Sequence, residues 1–259
     1  MYREQSRVTK NGVTIYDYKN PNIHSFYISL FLRAGSMHEE ISGITHFLEH
    51  AAIRNVGAVM DGELYSTLDR FGMEFNASTY SEMVQFYITG ATENFDLASE
   101  IIARILSPII LSASEIKTER ERIKAEIRES DDSTSLSSFA GNIVHEGTSL
   151  ARTITGTLGG VEKITKTRLE EYRKSVETPD NLFFYVTGNF DEKNLDKLSS
   201  EIEKYQLSEG KTKENIAPVC KNFGKREPRC AQSFAEDICS EKIKSSTTTT
   251  FPSRRGRIR

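Results

Sequence analysis

The stretch Thr45-His46-Phe47-Leu48-Glu49-His50 places two imidazoles four residues apart with a carboxylate between them. On an α-helix, residues at that spacing stand about 40° apart around the axis and one turn along it, so both rings can aim a nitrogen at one point. Neutral imidazoles of this kind bind Zn²⁺ at about 2.0–2.1 Å. Glu49, three residues after His46, falls on the same side of such a helix. It can reach a metal-held water without being a ligand, and a carboxylate so placed can take the proton of a water whose pKa the metal has lowered. The chemistry would be hydrolysis. With five His in the chain, a chance His-x-x-Glu-His is roughly a one-in-a-hundred event on composition, a moderate specificity for a short motif.

A catalytic zinc needs three protein ligands and one open position. The run from Glu115 to Glu126 offers several carboxylates. Glu119 and Glu126 are seven apart and share one face of a helix over two turns. One of the two can bind the metal while the other orients a histidine from behind. Taken by itself, such a charged run reads as a solvated face. His24, His38 and His145 have no histidine at helical spacing and read as surface or core residues. A structural zinc site is the weakest reading, since such sites are closed by four ligands rich in Cys, and Cys220, Cys230 and Cys239 are all remote from the motif.

The elements that must position these groups alternate along residues 8 to about 208. Strand patterns fall at 13–16, 26–33, 73–78, 83–89 and 181–188. Helical patterns fall at 44–53, 62–71 (closed by Gly72), 94–105, 114–130, 136–144, 166–176 and 191–205. Gly159-Gly160 reads as a turn before a short helix, and Tyr80, Phe86 and Tyr87 as sheet packing. Without strict βαβ alternation, and with hairpin-like neighbours, the expected fold is α+β: a mainly antiparallel sheet with helices on one face.

Composition bounds the function classes. The chain has 259 residues, 37% hydrophobic and 27% charged, with a net charge of −3. No overall positive field draws it to nucleic acid or anionic lipid. No apolar run approaches the roughly 18 residues that a membrane span needs, and residues 1–7 carry no apolar signal core. The expected compartment is the cytoplasm, with no nucleic-acid or membrane partner. The odd Cys count argues against a disulfide scaffold. From residue 209 apolar residues become sparse and aperiodic, and Thr247-Thr248-Thr249-Thr250 is of low complexity. The expectation is a catalytic domain over 1–208 and a disordered tail over 209–259, whose abrupt onset also fits a truncated or frame-shifted end.

Several ordered blocks resemble the pitrilysin/insulinase family of zinc peptidases, to which the mitochondrial processing peptidase belongs. They are Asn11 to Thr14, Phe26 to Ser36 with Glu39, Gly43 to His50, Gly72 to Thr79 with Glu82 and Tyr87, Glu119-Arg120 with Glu126, Gly156 with Ile164, and Asn181 to Asp191. The resemblance implies His46, His50 and Glu126 as ligands of one Zn²⁺, Glu49 as the catalytic base, and Glu119 as a supporting carboxylate. It implies that Asn76 and Ala77 lie on an edge strand that receives an extended peptide, with Glu82 near the site. Chains of this family usually continue into a second, similar half that closes over the zinc and supplies an Arg-Tyr pair. No such pair follows here. Ala51 to Asn55 also departs from the family's more apolar run. Two functions are therefore expected in competition: a zinc endopeptidase acting on unstructured peptides, or a subunit of a two-part peptidase that is inactive without a homologous partner.

Overall fold

A computed structural model describes residues 4–129 and 143–209. Six strands form one mixed sheet: β1 (Gln5–Val8), β2 (Thr14–Lys19), β3 (Ser25–Leu32), β4 (Glu74–Thr79), β5 (Val84–Ala91) and β6 (Leu182–Gly188). Their spatial order is β1-β2-β6-β3-β5-β4. Every pairing is antiparallel except that of β2 with β6. The α-helices among the described residues are α1 (Ile44–Val59), α2 (Leu64–Phe71), α3 (Phe95–Ala103), α4 (Ala113–Glu129), α5 (Leu158–Glu162), α6 (Lys166–Val176) and α7 (Glu192–Ile202). None of them is long and apolar enough to cross a membrane.

Alternation along the strands sends one face of the sheet to the helices. Phe26, Ile28, Leu30 and Leu32 of β3 are buried, and their cross-strand partners Ile88, Phe86 and Val84 on β5 and Val186, Phe184 and Leu182 on β6 continue the same layer. Phe47, Leu48, Ala51, Ala52 and Val56 of α1, with Phe95, Ala98, Ile101 and Ile102 of α3, complete one core cluster. The opposite face holds half-buried rings, with Tyr27 stacked on Tyr87 and Phe31 on Phe183 at centroid separations of 5.1 and 5.0 Å.

The expected α+β architecture is the one observed, with differences of detail that have physical reasons. Helix α1 runs six residues past the expected end at Ile53. Asn55, a poor residue for a helix interior, is tolerated because its buried amide bonds Ser107 Oγ and the Pro108 carbonyl and accepts from Ile110 N. Gly159 and Gly160 lie inside α5, started by the Thr157 side chain, which accepts from Gly160 N. Tyr80 is exposed in the β4–β5 turn and not packed in the sheet. Strand β1 was not expected, since it is four mostly exposed residues with no apolar alternation. Most of the expected helix at 136–144 and all but the first residue of the expected tail at 209–259 lie outside the described residues.

What holds the start of α1 is central to the site. Gly43 precedes the helix with φ +87°, a conformation that favours glycine, and supplies no capping side chain. The Glu39 carboxylate caps from outside, accepting from Gly43 N at 2.7 Å and Thr45 N at 3.2 Å, where a negative charge suits the helix N-terminus. Arg152 Nη1 donates to the Glu39 carbonyl, and Thr45 Oγ1 shares a 2.7 Å hydrogen bond with Tyr172 OH on α6. Gly156, φ +81°, packs its backbone directly on Gly43; a Cβ there would stand 2.4 Å from the Gly43 Cα. Gly156→Ala is accordingly expected to destabilise the chain by about 2 kcal/mol or more, through backbone strain and displacement of the α1 start. Urea unfolding of the variant against the parent measures this.

Candidate active site

Two helices build the site, and their packing explains which residues meet. On α4 the buried residues are Ile116, Glu119 and Ile123, and Glu126 follows at the next position of the same 3-4-3 spacing. This stripe faces α1, so the two carboxylates occupy a seam that apolar residues would otherwise fill. Most charged residues of α4 face solvent at least in part, as such a run suggests by itself, but Glu119 is only 3% exposed. On α1, His46 and Glu49 are buried and His50 is half-buried. The imidazole rings stand edge to face with centroids 4.6 Å apart.

The three expected ligands converge. One ligand atom from each of His46, His50 and Glu126 lies within 4.8 Å of the other two. Glu126 Oε1 is 3.6 Å from His46 Nε2, and Glu126 Oε2 is 3.5 Å from His50 Nε2. Two donors at about 2.0–2.1 Å from a tetrahedral ion stand about 3.3–3.4 Å apart, so the donor set and its spacing fit a single zinc. Behind His50, Glu119 Oε1 is 2.9 Å from Nδ1. An ionised carboxylate only accepts, so Nδ1 carries the proton and donates; in the neutral ring Nε2 is then the lone-pair nitrogen, and it faces Glu126. His46 Nδ1 is buried without a hydrogen-bond partner; unlike His50, this ring has no carboxylate to orient it.

Charge distribution within the site is uneven. Burial, then the neighbouring His50, holds His46 down to a pKa of about 4, so its ring is neutral and able to ligate at pH 7. Burial opposes a charge on His50, but the hydrogen bond to Glu119 and the Glu49, Glu119 and Glu126 carboxylates outweigh it and raise that ring above its ordinary value. Burial lifts Glu49 above its ordinary value, opposed by a hydrogen bond from Thr79 and by His50. Glu119 is buried too, but its bond to His50 and the guanidinium groups of Arg122 and Arg54 bring it below the usual carboxylate range. Those groups approach Glu119 Oε2 at 3.7 and 3.8 Å.

Beside these residues lies a cleft of about 700 Å³ reached by Glu49, His50 and Asn76, with Ile53, Leu64 and Tyr65 on its apolar wall. Asn76 and Ala77 lie on β4, the last strand of the sheet. The Asn76 side chain accepts from Ala77 N at 2.9 Å. Glu82 is exposed in the turn that joins β4 to β5 and is not among the residues that line the cleft. Sequence reasoning missed Glu39, Arg54, Arg122 and Thr79. Thr79 carried a weak signal, since it stands two residues after Ala77 and so on the same face of β4.

A family model for insulinase-type peptidases (Peptidase family M16) matches residues 14–158, more than half of the chain. The chain belongs to the insulinase family. An uncharacterized zinc protease of Rickettsia felis is 31% identical over 217 residues, which cover 81% of this chain and 52% of that protein. The mitochondrial-processing peptidase subunit beta of Saccharomyces cerevisiae is 29% identical over 199 residues, 75% of this chain and 42% of that one. In fold, the chain resembles a protease from Helicobacter pylori with a TM-score of 0.72 at 21% identity, covering 85% of this chain and 54% of that one. This insulinase-family chain thus spans about half the length of the curated relatives it matches.

Two outcomes are expected from the geometry. Glu119→Gln should weaken zinc binding about 10–100-fold, because an amide in place of the carboxylate holds the His50 ring less firmly; competition with a zinc-sensitive chelator reads this. Zinc at about 100 times its dissociation constant should stabilise the parent by about 2.7 kcal/mol and leave His50→Ala unmoved, as followed by thermal melting with and without EDTA.

Proposed function

We propose that this insulinase-family chain is the metal-bearing half of a zinc metalloendopeptidase that hydrolyses peptide bonds in extended, unstructured peptides. The observation that carries the reading is the convergence of His46 Nε2, His50 Nε2 and a Glu126 carboxylate oxygen, with Glu49 one helical turn from His46. In this reading His46, His50 and Glu126 hold one Zn²⁺, which supplies Lewis acidity towards a carbonyl and a lowered pKa for water. Glu49 takes the proton of the attacking water and returns it to the leaving amine. Its burial favours the proton-holding state at the moment the proton is transferred. Glu119 keeps His50 in the tautomer that ligates.

The substrate enters as a strand. β4 ends the sheet, and an extended peptide can add to such an edge through its backbone. Asn76 Oδ1 holds the Ala77 N–H, so a substrate carbonyl would take over an existing acceptor position. The pairing asks only for an unpaired, extended segment, which is why unstructured peptides suit the site.

A second reading is favoured by one observation, the likeness in fold to the first half of a periplasmic protease from Escherichia coli, with a TM-score of 0.72 at 22% identity. In it the chain is the metal-carrying member of a two-part peptidase, silent until a homologous half covers the cleft and excludes bulk water.

Glu49→Gln tests the first reading. Cleavage of a quenched-fluorescent unstructured peptide should fall by about 10²–10⁴-fold with zinc content unchanged; undiminished cleavage would remove Glu49 as the base. If the zinc-loaded parent cleaves nothing alone but gains turnover when a homologous half-unit is added, the second reading holds.

A further inference from the structure

Glu49 is a three-torsion side chain that must present one oxygen to a water in a fixed place. α1 by itself cannot fix that orientation, because the helix sets only where the Cβ points. The structure holds Glu49 from outside the helix. Thr79 Oγ1, at the end of β4, hydrogen-bonds to Glu49 Oε2. Thr79 pairs with Val84 across the hairpin, and Val84 is buried in the layer that faces the helices, so the Thr79 side chain leaves the sheet on the α1 side. Because Thr is branched at Cβ, its χ1 is stiff and the strand backbone fixes the hydroxyl.

From this geometry we propose that Thr79 is a positioning residue for the base, holding Glu49 Oε2 so that Oε1 is the oxygen that receives the proton. The inference rests on the proposed role of Glu49. An ionised carboxylate donates nothing, so the bond runs from the Thr79 hydroxyl to Oε2 and occupies that oxygen. Oε1 is left for the water. The same short strand carries Asn76 and Ala77, so the element offered to substrate is also the one that aims the base. A peptide laid along β4 is thereby registered against the oxygen that must serve it.

Two substitutions separate positioning from mere packing. Thr79→Val keeps the shape and removes the hydroxyl; Thr79→Ser keeps the hydroxyl and removes a methyl. In the full chain loaded with zinc, Thr79→Val should lower kcat on an unstructured quenched-fluorescent peptide by about 10–100-fold with KM and zinc content within about twofold, and Thr79→Ser should recover most of the loss. A second readout needs no turnover. In metal-free chain labelled with ¹³C-glutamate, the side-chain carboxyl resonance of Glu49, assigned by its loss in Glu49→Gln, should shift in Thr79→Val and return in Thr79→Ser. An unmoved resonance, or a Thr79→Ser variant as altered as Thr79→Val, overturns the proposal. If Glu49→Gln abolishes cleavage and Thr79→Val does not, only the positioning role fails; if Glu49→Gln cleaves normally, the reading beneath it fails as well.

Discussion

The site depends on one packing constraint: the seam where α4 lies against α1 must accommodate two carboxylates in an otherwise apolar stripe. Ile116 and Ile123 supply the adhesion, with Glu119 between them and Glu126 following. A buried carboxylate left alone is costly. Only Glu119 meets that cost in full, since the Glu126 side chain is 44% exposed. Glu119 meets His50 directly, with two guanidinium groups nearby. Glu126 sits between the two imidazole nitrogens at distances too long for good hydrogen bonds and well suited to a shared cation. The helix pair without metal therefore holds a concentration of polar groups that a divalent ion would resolve.

That seam is useful only if α1 is held in depth and rotation. Its N-terminal end is fixed by contacts from three separate stretches of chain: Glu39 before it, Arg152 and Gly156 in the loop that precedes α5, and Tyr172 on α6. None of these residues lines the cleft. Their effect on chemistry is mechanical, since they set the height of His46, the third residue of the helix, against α4.

Much of this was legible from residue order because local periodicity and site chemistry coincide. The i, i+4 histidines declared a helix with two imidazoles on one side, and the 3-4-3 stripe of α4 was present in the letters, with only the burial of Glu119 hidden. Pairing between distant segments was less legible. Nothing in Leu182-Phe183-Phe184-Tyr185-Val186 says that the strand lies between β2 and β3, or that it runs parallel to β2, because alternation reports a buried strand and not its neighbours. Alternation along β4 puts Thr79 on the face of Ala77, but it does not say that the hydroxyl reaches a helix residue 30 positions earlier. Strand β1 escaped because its pairing to β2 rests on backbone bonds and on Arg7 reaching Glu192 and Asp196, not on apolar pattern.

The central place of β6 has a consequence for biosynthesis. β2 and β3 are neighbours in sequence yet do not pair; the gap between them is filled by residues about 170 positions later. A nascent chain emerging from the ribosome can form the β3–β5–β4 hairpin array and the α1–α4 seam early, but the β1–β2 ribbon has nothing to join until Gly188 has been made. Such non-local closure is slow, and the partly assembled sheet exposes two unsatisfied strand edges while it waits. Chaperone dependence during synthesis, and sensitivity to any break upstream of the last strand, are the natural accompaniments of this topology.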